Sequence, residues 1–311
     1  MRFARVALAC TLALAACDGA TGEDPTGLTI TSPAPGAMFA RTSLDSLGSL
    51  VASVPVEVAV EGMPARVAIT LDTTALADLD ADGHATVALG ASGPAVLTAT
   101  WLDAEDTPVA TASVDIVITD PAAATCKDWL DLYKVTYTAG PASPGVMDPV
   151  TVTMPINGMP FRSGGAARTK MFGDCSIIKA LAKAAPMLRA KMIVEVTDLG
   201  VYNYRCIGSV GTPPNCPNGI SQHAYGNAID LASFKDVAGM TYVVNTDFVI
   251  DPAPEKTCTA ATVAGKDRFL HELICELKAA KVFNIVLTPN YNADHRDHFH
   301  VDMTPGSDFI H

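Results

Sequence analysis

The chain has 311 residues, 49% of them apolar and 17% charged, a composition that buries a core and excludes a disordered polymer. Acidic residues outnumber basic ones 33 to 21, and the net charge of −12 removes any electrostatic basis for binding nucleic acid or an anionic lipid surface. The length suits two domains of ordinary size.

The first residues carry a targeting pattern. Arg2 and Arg5 precede an apolar run, Val6 to Ala16, that is too short to span a bilayer as a mature helix. Residues 1–17 therefore read as a cleaved export signal. Leu14-Ala15-Ala16-Cys17 resembles a bacterial lipobox, in which the cysteine becomes the lipidated first residue. An ordinary signal cut near the same alanine pair is the simpler alternative. The lipobox predicts a lipoprotein of the bacterial cell envelope, in the periplasm or at the cell surface, held to a membrane through lipid on Cys17, and a monomer is expected. Residues 18–27 are small, polar and acidic, and read as a flexible tether.

From residue 28 to 119 the pattern has period two. Val56, Val58 and Val60 alternate with other residues, as do Val67, Ile69 and Leu71, and later Val114, Ile116 and Ile118. Turn signals such as Pro35-Gly36, Glu61-Gly62 and Gly93-Pro94 separate the runs. About seven short strands at this spacing predict an all-β, immunoglobulin-like sandwich. Leu28-Thr29-Ile30-Thr31-Ser32-Pro33 resembles the opening of bacterial immunoglobulin-like surface domains, which serve as spacers or adhesive modules. Asp78-x-Asp80-x-Asp82-Gly83 imitates a calcium loop, but its twelfth position is Leu89 instead of the bidentate Glu. Asp82-Gly83 reads better as a hairpin turn.

Residues 120–125 form a linker, and the pattern then changes. Ile177, Ile178, Leu181, Ala184, Ala185 and Leu188 share one helical face, with Pro186 expected to kink or end the helix. Residues 265 to 279 repeat the pattern with Phe269, Leu270, Leu273, Ile274 and Leu277. Strand-like runs surround both helices, at 192–196, 228–231, 241–244, 283–287 and 299–303. Helices and strands without regular alternation predict an α+β domain, 126–311, on an antiparallel sheet. Of eight cysteines, Cys10 and Cys17 belong to the signal. The other six are Cys126, Cys175, Cys206, Cys216, Cys258 and Cys275, an even number that predicts disulfides in an exported chain. Sequence does not choose among their pairings.

The chemistry concentrates in two segments. The first is Ser221-Gln222-His223-Ala224-Tyr225-Gly226-Asn227-Ala228-Ile229-Asp230, and the second is His295-Arg296-Asp297-His298-Phe299-His300-Val301-Asp302. Gly226 permits a sharp turn between His223 and Asp230. On a strand, His298, His300 and Asp302 share a face, because side chains alternate with period two. Two His and one carboxylate on a rigid frame, with a fourth position left for water, make the catalytic zinc pattern. A histidine cluster can also be an adventitious metal site, or a loop hydrogen-bonded to itself. Two further motifs are decoys. Ser221 has no nucleophile-elbow context. His271-Glu272-Leu273-Ile274-Cys275 imitates a zincin helix, but Cys replaces the second His and is better read as bridged, with Cys258 as one partner.

The paired motifs Ser-x-His-x-x-Gly-x-Ala-x-Asp and His-x-His resemble the signature of the lysostaphin, D-Ala-D-Ala metallopeptidase and hedgehog superfamily. The nearest likeness is to the bacterial extensin-like C-terminal domain, related to zinc D-Ala-D-Ala carboxypeptidases and the murein endopeptidase MepA. It runs from about Met147 to Met303 and takes in Asp198-Leu199-Gly200-Val201-Tyr202 and Leu287-Thr288-Pro289-Asn290-Tyr291-Asn292. The resemblance implies a hedgehog/D-Ala-D-Ala-peptidase-like fold and a Zn2+ ion on His223, Asp230 and His300. It implies active-site roles for His298 and His295. Where the carboxypeptidases carry a Glu base, this chain has Asp297, so His298 is the preferred acid/base or oxyanion-stabilising group and Asp297 the second choice. Arg205 matches an arginine common before the signature, though its order relative to Cys206 is altered. The implied activity is that of a carboxypeptidase or endopeptidase cleaving peptidoglycan or its stem peptides. The alternative is a zinc-stabilised binding or adhesive module without turnover.

Overall fold

The computed structural model describes residues 27–62, 64–251, 257–259 and 265–311. The export signal, the lipobox and all but the end of the tether lie outside these residues.

The N-terminal part is a β-sandwich, as expected. Nine strands follow in order: β1 (Gly27–Ser32), β2 (Ala37–Ala40), β3 (Ser43–Leu44), β4 (Leu50–Glu61), β5 (Arg66–Leu71), β6 (Thr74–Asp78), β7 (His84–Leu89), β8 (Gly93–Leu102) and β9 (Pro108–Thr119). They form two sheets, one of β1, β4, β3 and β7, the other in the order β2-β9-β8-β5-β6. Alternation drives the packing. Ala52, Val54, Val56 and Val58 of β4 turn inward against Ile69, Leu97 and Ile116 of the second sheet, while Ser53, Pro55 and Glu57 face water. The Asp78–Gly83 segment is a turn, with Asp80 Oδ1 accepting from the amides of Asp82 and His84 at 3.0 and 2.9 Å. It is not a hairpin, because β6 and β7 belong to different sheets.

The C-terminal part is α+β. Its elements are α1 (Cys126–Leu132), β10 (Tyr137–Ala139), β11 (Pro149–Thr153), β12 (Phe161–Ser163), β13 (Ala166–Ala167), β14 (Lys170–Asp174), α2 (Cys175–Ala190), β15 (Ile193–Gly200), β16 (Ala228–Asp236), β17 (Thr241–Val243), α3 (Val244–Asp247), α4 (Lys266–Ala279), β18 (Ile285–Leu287), β19 (Phe299–Asp302) and β20 (Phe309–Ile310). The main sheet runs β13-β12-β15-β16-β19-β18-β20, with β17 also on β16. It is mixed, which corrects the antiparallel expectation: β12 is parallel to β15, and β18 to β20. Parallel neighbours need a long crossover, and the passage through β14 and α2 supplies one between β12 and β15. Ile177, Ile178, Leu181 and Leu188 of α2 and Leu270, Leu273, Ile274 and Leu277 of α4 enter one core with Phe161, Phe234 and Phe299.

Disulfides join Cys126 to Cys175, Cys206 to Cys216, and Cys258 to Cys275. Three such bonds mark a chain that folds in an oxidising compartment, as exported proteins do.

Of the two outcomes expected at Pro186, a kink or an end, the end does not occur: α2 runs on to Ala190. Proline has no amide hydrogen, so the carbonyl four residues earlier, on Ala182, loses its helical partner. The Asn157 side-chain amide replaces it, donating to Ala182 O at 2.9 Å and to Gly48 O at 3.0 Å. Arg189 adds a bond from Nε to Leu47 O at 2.8 Å. Leu44 and Leu50, flanking that turn, pack against the C-terminal core. The β3–β4 turn of the sandwich is thereby stapled to α2.

Asn157 has a φ of 42°, so Asn157→Gly keeps the backbone accessible and removes only the side chain. Urea denaturation should show a loss of about 1–3 kcal/mol, the cost of a stranded buried acceptor. Pro186→Ala, which restores an amide partner for Ala182, should shrink that loss. An unchanged midpoint for Asn157→Gly would show that the amide contributes nothing.

Candidate metal centre

His223 stands on a single 3-10 turn, Gln222–Tyr225, capped by Ser221, whose Oγ accepts from the His223 amide at 3.3 Å. Ser221 is therefore occupied as a cap. Gly226 ends the turn at φ 61°, where a Cβ would lie 3.0 Å from the Asp174 amide nitrogen, so the chain turns into β16 only with glycine here. In β16, Ile229 and Leu231 point into the core, which leaves Asp230 on the opposite face. In β19, Phe299 and Val301 do the same, and His300 and Asp302 share the other face. The register pairs Asp230 directly with His300.

These constraints bring three donor atoms together. His223 Nε2 lies 3.1 Å from Asp230 Oδ1 and 3.1 Å from His300 Nδ1, and the third edge, His300 Nδ1 to Asp230 Oδ1, is 3.0 Å. The outer ring nitrogens are committed. His223 Nδ1 donates to the Val201 carbonyl at 2.9 Å, and His300 Nε2 to Asp302 Oδ2 at 3.1 Å. When both inner nitrogens are deprotonated, rings fixed this way aim two lone pairs, with one carboxylate oxygen, at a single point. Such a point requires a cation, either protons or a metal ion. Donors held at about 2.0–2.1 Å around a tetrahedral ion stand about 3.3 Å apart, close to the edges found here. His223, Asp230 and His300 thus form a group that could hold a metal ion.

The electrostatics agree. Burial alone would raise the Asp230 carboxyl, but hydrogen bonds from His223 and His300 hold it well below the ordinary carboxylate range. Burial would lower His300, yet its bonds to Asp230 and Asp302 raise it to about 9. The metal-free pocket gathers positive charge.

The other predicted residues surround this group. His298 Nε2 is 3.3 Å from Asp230 Oδ1, and its Nδ1 is 2.7 Å from Asp297 Oδ1. Asp297 is largely exposed and touches the centre only through His298. His295 Nδ1 donates to Asn292 Oδ1 at 2.7 Å, and its ring centroid lies 5.3 Å from that of His298 and 5.7 Å from that of His300. Burial, then the charges of His300 and His298, lower His295 to about 4. Arg205, His295, His298 and the three-donor group line one cleft of about 630 Å³, together with Ile207, Tyr291 and Asp294.

Two other groupings are structural. Cys126 and Cys175 near Asp148 are bonded to each other. His271 is buried in α4, with Nδ1 2.8 Å from Thr257 O, and Cys275 of the same motif is bridged to Cys258. Sequence reasoning missed Val201, whose carbonyl orients His223, and Asn292, which orients His295. It also missed the ion pair of Arg168 with fully buried Asp198, where Arg168 Nε meets Oδ2 at 2.8 Å. Asp198 and Val201 lie within a quoted motif, but backbone carbonyls and loop amides leave no mark in composition.

The centre and the sheet beneath it define an exported α+β protein with a His/Asp/His group at the base of a cleft. Residues 125–309 match the family described as extensin-like protein C-terminus, and the chain belongs to that family. The match begins earlier and ends later than the motif-bearing stretch. No curated protein matches the chain. Among solved structures, the chain is similar to fibronectin(III)-like modules of Clostridium thermocellum CbhA at 16% identity, covering 30% of this chain and 94% of that one, with a TM-score of 0.25. It is also similar to Bacteroides ovatus SGBP-B, solved with a mixed-linkage heptasaccharide, at 12% identity, covering 76% of this chain and 51% of that one, with a TM-score of 0.23.

Divalent-ion calorimetry checks the centre. His300→Ala or Asp230→Ala should abolish tight binding, and Asp302→Ala should weaken it about 10–100-fold. His300, raised to about 9 without metal, is protonated at pH 7, so binding should expel about one proton and tighten as pH rises toward 9. Heats independent of the buffer's ionisation enthalpy would contradict this.

Proposed function

We propose that the C-terminal region is a zinc-dependent hydrolase of the cell envelope, cleaving peptide bonds of peptidoglycan. The observation that carries it is the inward convergence of His223 Nε2, Asp230 Oδ1 and His300 Nδ1, with their outer atoms already satisfied. Two imidazoles and one carboxylate suit Zn2+ among the common ions, and three protein ligands are the number found in catalytic zinc sites. Bound zinc supplies Lewis acidity and lowers the pKa of water to about 7.

The chain's own residues divide the remaining work. His295 is neutral at pH 7, with its Nδ1 proton given to Asn292, so its Nε2 lone pair is free to accept a hydrogen bond from substrate or water. Asp297 holds the His298 ring and leaves Nε2 facing the centre, where it stabilises charge developing on a carbonyl oxygen. Arg205 on the cleft wall binds a substrate carboxylate. The resemblance to D-Ala-D-Ala carboxypeptidases and murein endopeptidases supports the choice of peptidoglycan. The same reading gives residues 28–119 the role of spacer, joined at 120–125 to the hydrolase of 126–311. It places lipid on Cys17 as the anchor of a monomeric lipoprotein.

Purified peptidoglycan incubated with the zinc-loaded chain should yield new muropeptides by chromatography and mass spectrometry. His300→Ala should yield none, and His298→Ala should slow release about 10²–10⁴-fold. An unchanged muropeptide profile with fully zinc-loaded wild type would reject the hydrolase and leave a metal-stabilised binding module.

A further inference from the structure

Several cations of this acidic chain meet carboxylates. Arg66 pairs with Asp78 and Asp106, Lys127 with Asp148, Arg168 with Asp198, and Lys191 with Glu276. The junction between the sandwich and α2 is different. A cleft of about 800 Å³ lies there, and Arg41, Lys179, Lys183 and Lys281 all line it. It shares no lining residue with the cleft of the His/Asp centre.

The carboxylates of this cleft are engaged elsewhere. Asp45 Oδ1 accepts from the amides of Leu47 and Ser49 at 2.9 and 2.8 Å, closing its own turn. Asp120 holds Arg41 and accepts from Ser92 Oγ at 2.7 Å. Lys183 Nζ donates to the carbonyls of Ala280 and Lys281, at 2.8 and 3.1 Å, and not to a carboxylate. Among the described residues no carboxylate lies within 4.0 Å of the ammonium of Lys179 or Lys281. Arg41 Nε is buried with no hydrogen-bond partner. Burial, then the charges of Lys179 and Arg41, push the Lys183 ammonium below its ordinary value, so these cations repel across the cleft. An anion between them reverses that cost.

The rest of the wall is not charged. Trp129 lines the cleft beside Leu50, Met187 and Val282, and the Lys179 ammonium lies 5.9 Å from the Trp129 ring centroid. A bare inorganic anion would use only the cations. A ring carrying an acidic group uses both the aromatic surface and the charge.

We propose that this cleft binds an acidic saccharide, a sugar ring bearing a carboxylate or phosphate, gripped by Lys179 and Lys281 against Trp129. The site is independent of the proposed hydrolase and of its metal.

The chain has two tryptophans, so Trp101→Phe in the full chain leaves Trp129 as the single reporter. A hyaluronan tetrasaccharide should change its fluorescence saturably, and neutral chitotetraose should not. Lys179→Gln with Lys281→Gln should lower affinity at least about tenfold while leaving the thermal midpoint unchanged. His300→Ala should bind as the parent does, which separates this site from the centre. No saturable change, equal binding by the double variant, or equal binding of the neutral sugar would overturn the proposal. Inorganic phosphate matching the tetrasaccharide in affinity would overturn it too, leaving only an anion site.

Discussion

The cross-strand pairing of Asp230 with His300 is the constraint on which the functional half of the molecule depends. Register alone would place the two side chains side by side, as it does for any facing pair on one surface of a sheet. What turns the pair into a metal-type group is the control of protons. Val201 and Asp302 each accept from the far side of an imidazole, so neither ring can rotate or change tautomer without losing a buried hydrogen bond. The core beneath fixes the same geometry from below. Phe299 and Val301 are fully buried, and slipping β19 by one residue would bury His300 in their place.

A second constraint joins the two halves. Pro186 in α2 frees a carbonyl, and the chain fills that vacancy with Asn157 instead of breaking the helix. The same amide reaches Gly48, so a local backbone repair also becomes a contact between the modules. A sandwich attached only through residues 120–125 would swing freely. One whose β3–β4 turn is bonded to α2 is restrained against it, and the basic cleft lies at that junction.

The legible parts of the sequence were those written in side-chain period and in polar clusters. Val56, Val58 and Val60 announced β4, and Leu270, Leu273, Ile274 and Leu277 announced α4, because burial on one face leaves a fixed repeat. The His/Asp group was legible because residues 295–300 crowd three imidazoles into six positions, two of them at period-two spacing, which is costly without a purpose. Long-range partners were not legible. The parallel pairing of β12 with β15 depends on where a crossover lands, and the passage of α2 through Pro186 depends on an amide 29 positions earlier in the chain. The Asp82-Gly83 turn was visible as a turn, but whether it returns to the same sheet is decided by the packing of β6 on β5 and of β7 on β4.

The opposite fates of two neighbouring histidines follow from the same field. His300 faces two carboxylates and is raised to about 9, while His295, with its ring centroid 5.7 Å away, is lowered to about 4 by burial and by the positive charge of His300 and His298. Replacing the protons of the triad with a divalent ion increases the positive charge that His295 faces, so its neutral form is favoured further. A histidine kept neutral beside a cation, with its Nδ1 proton committed to Asn292, can only accept at Nε2. The pocket therefore holds neighbouring imidazoles in two different charge states. The carboxylate-backed ring of His300 holds positive charge, and the ring of His295, backed by a neutral amide, stays neutral.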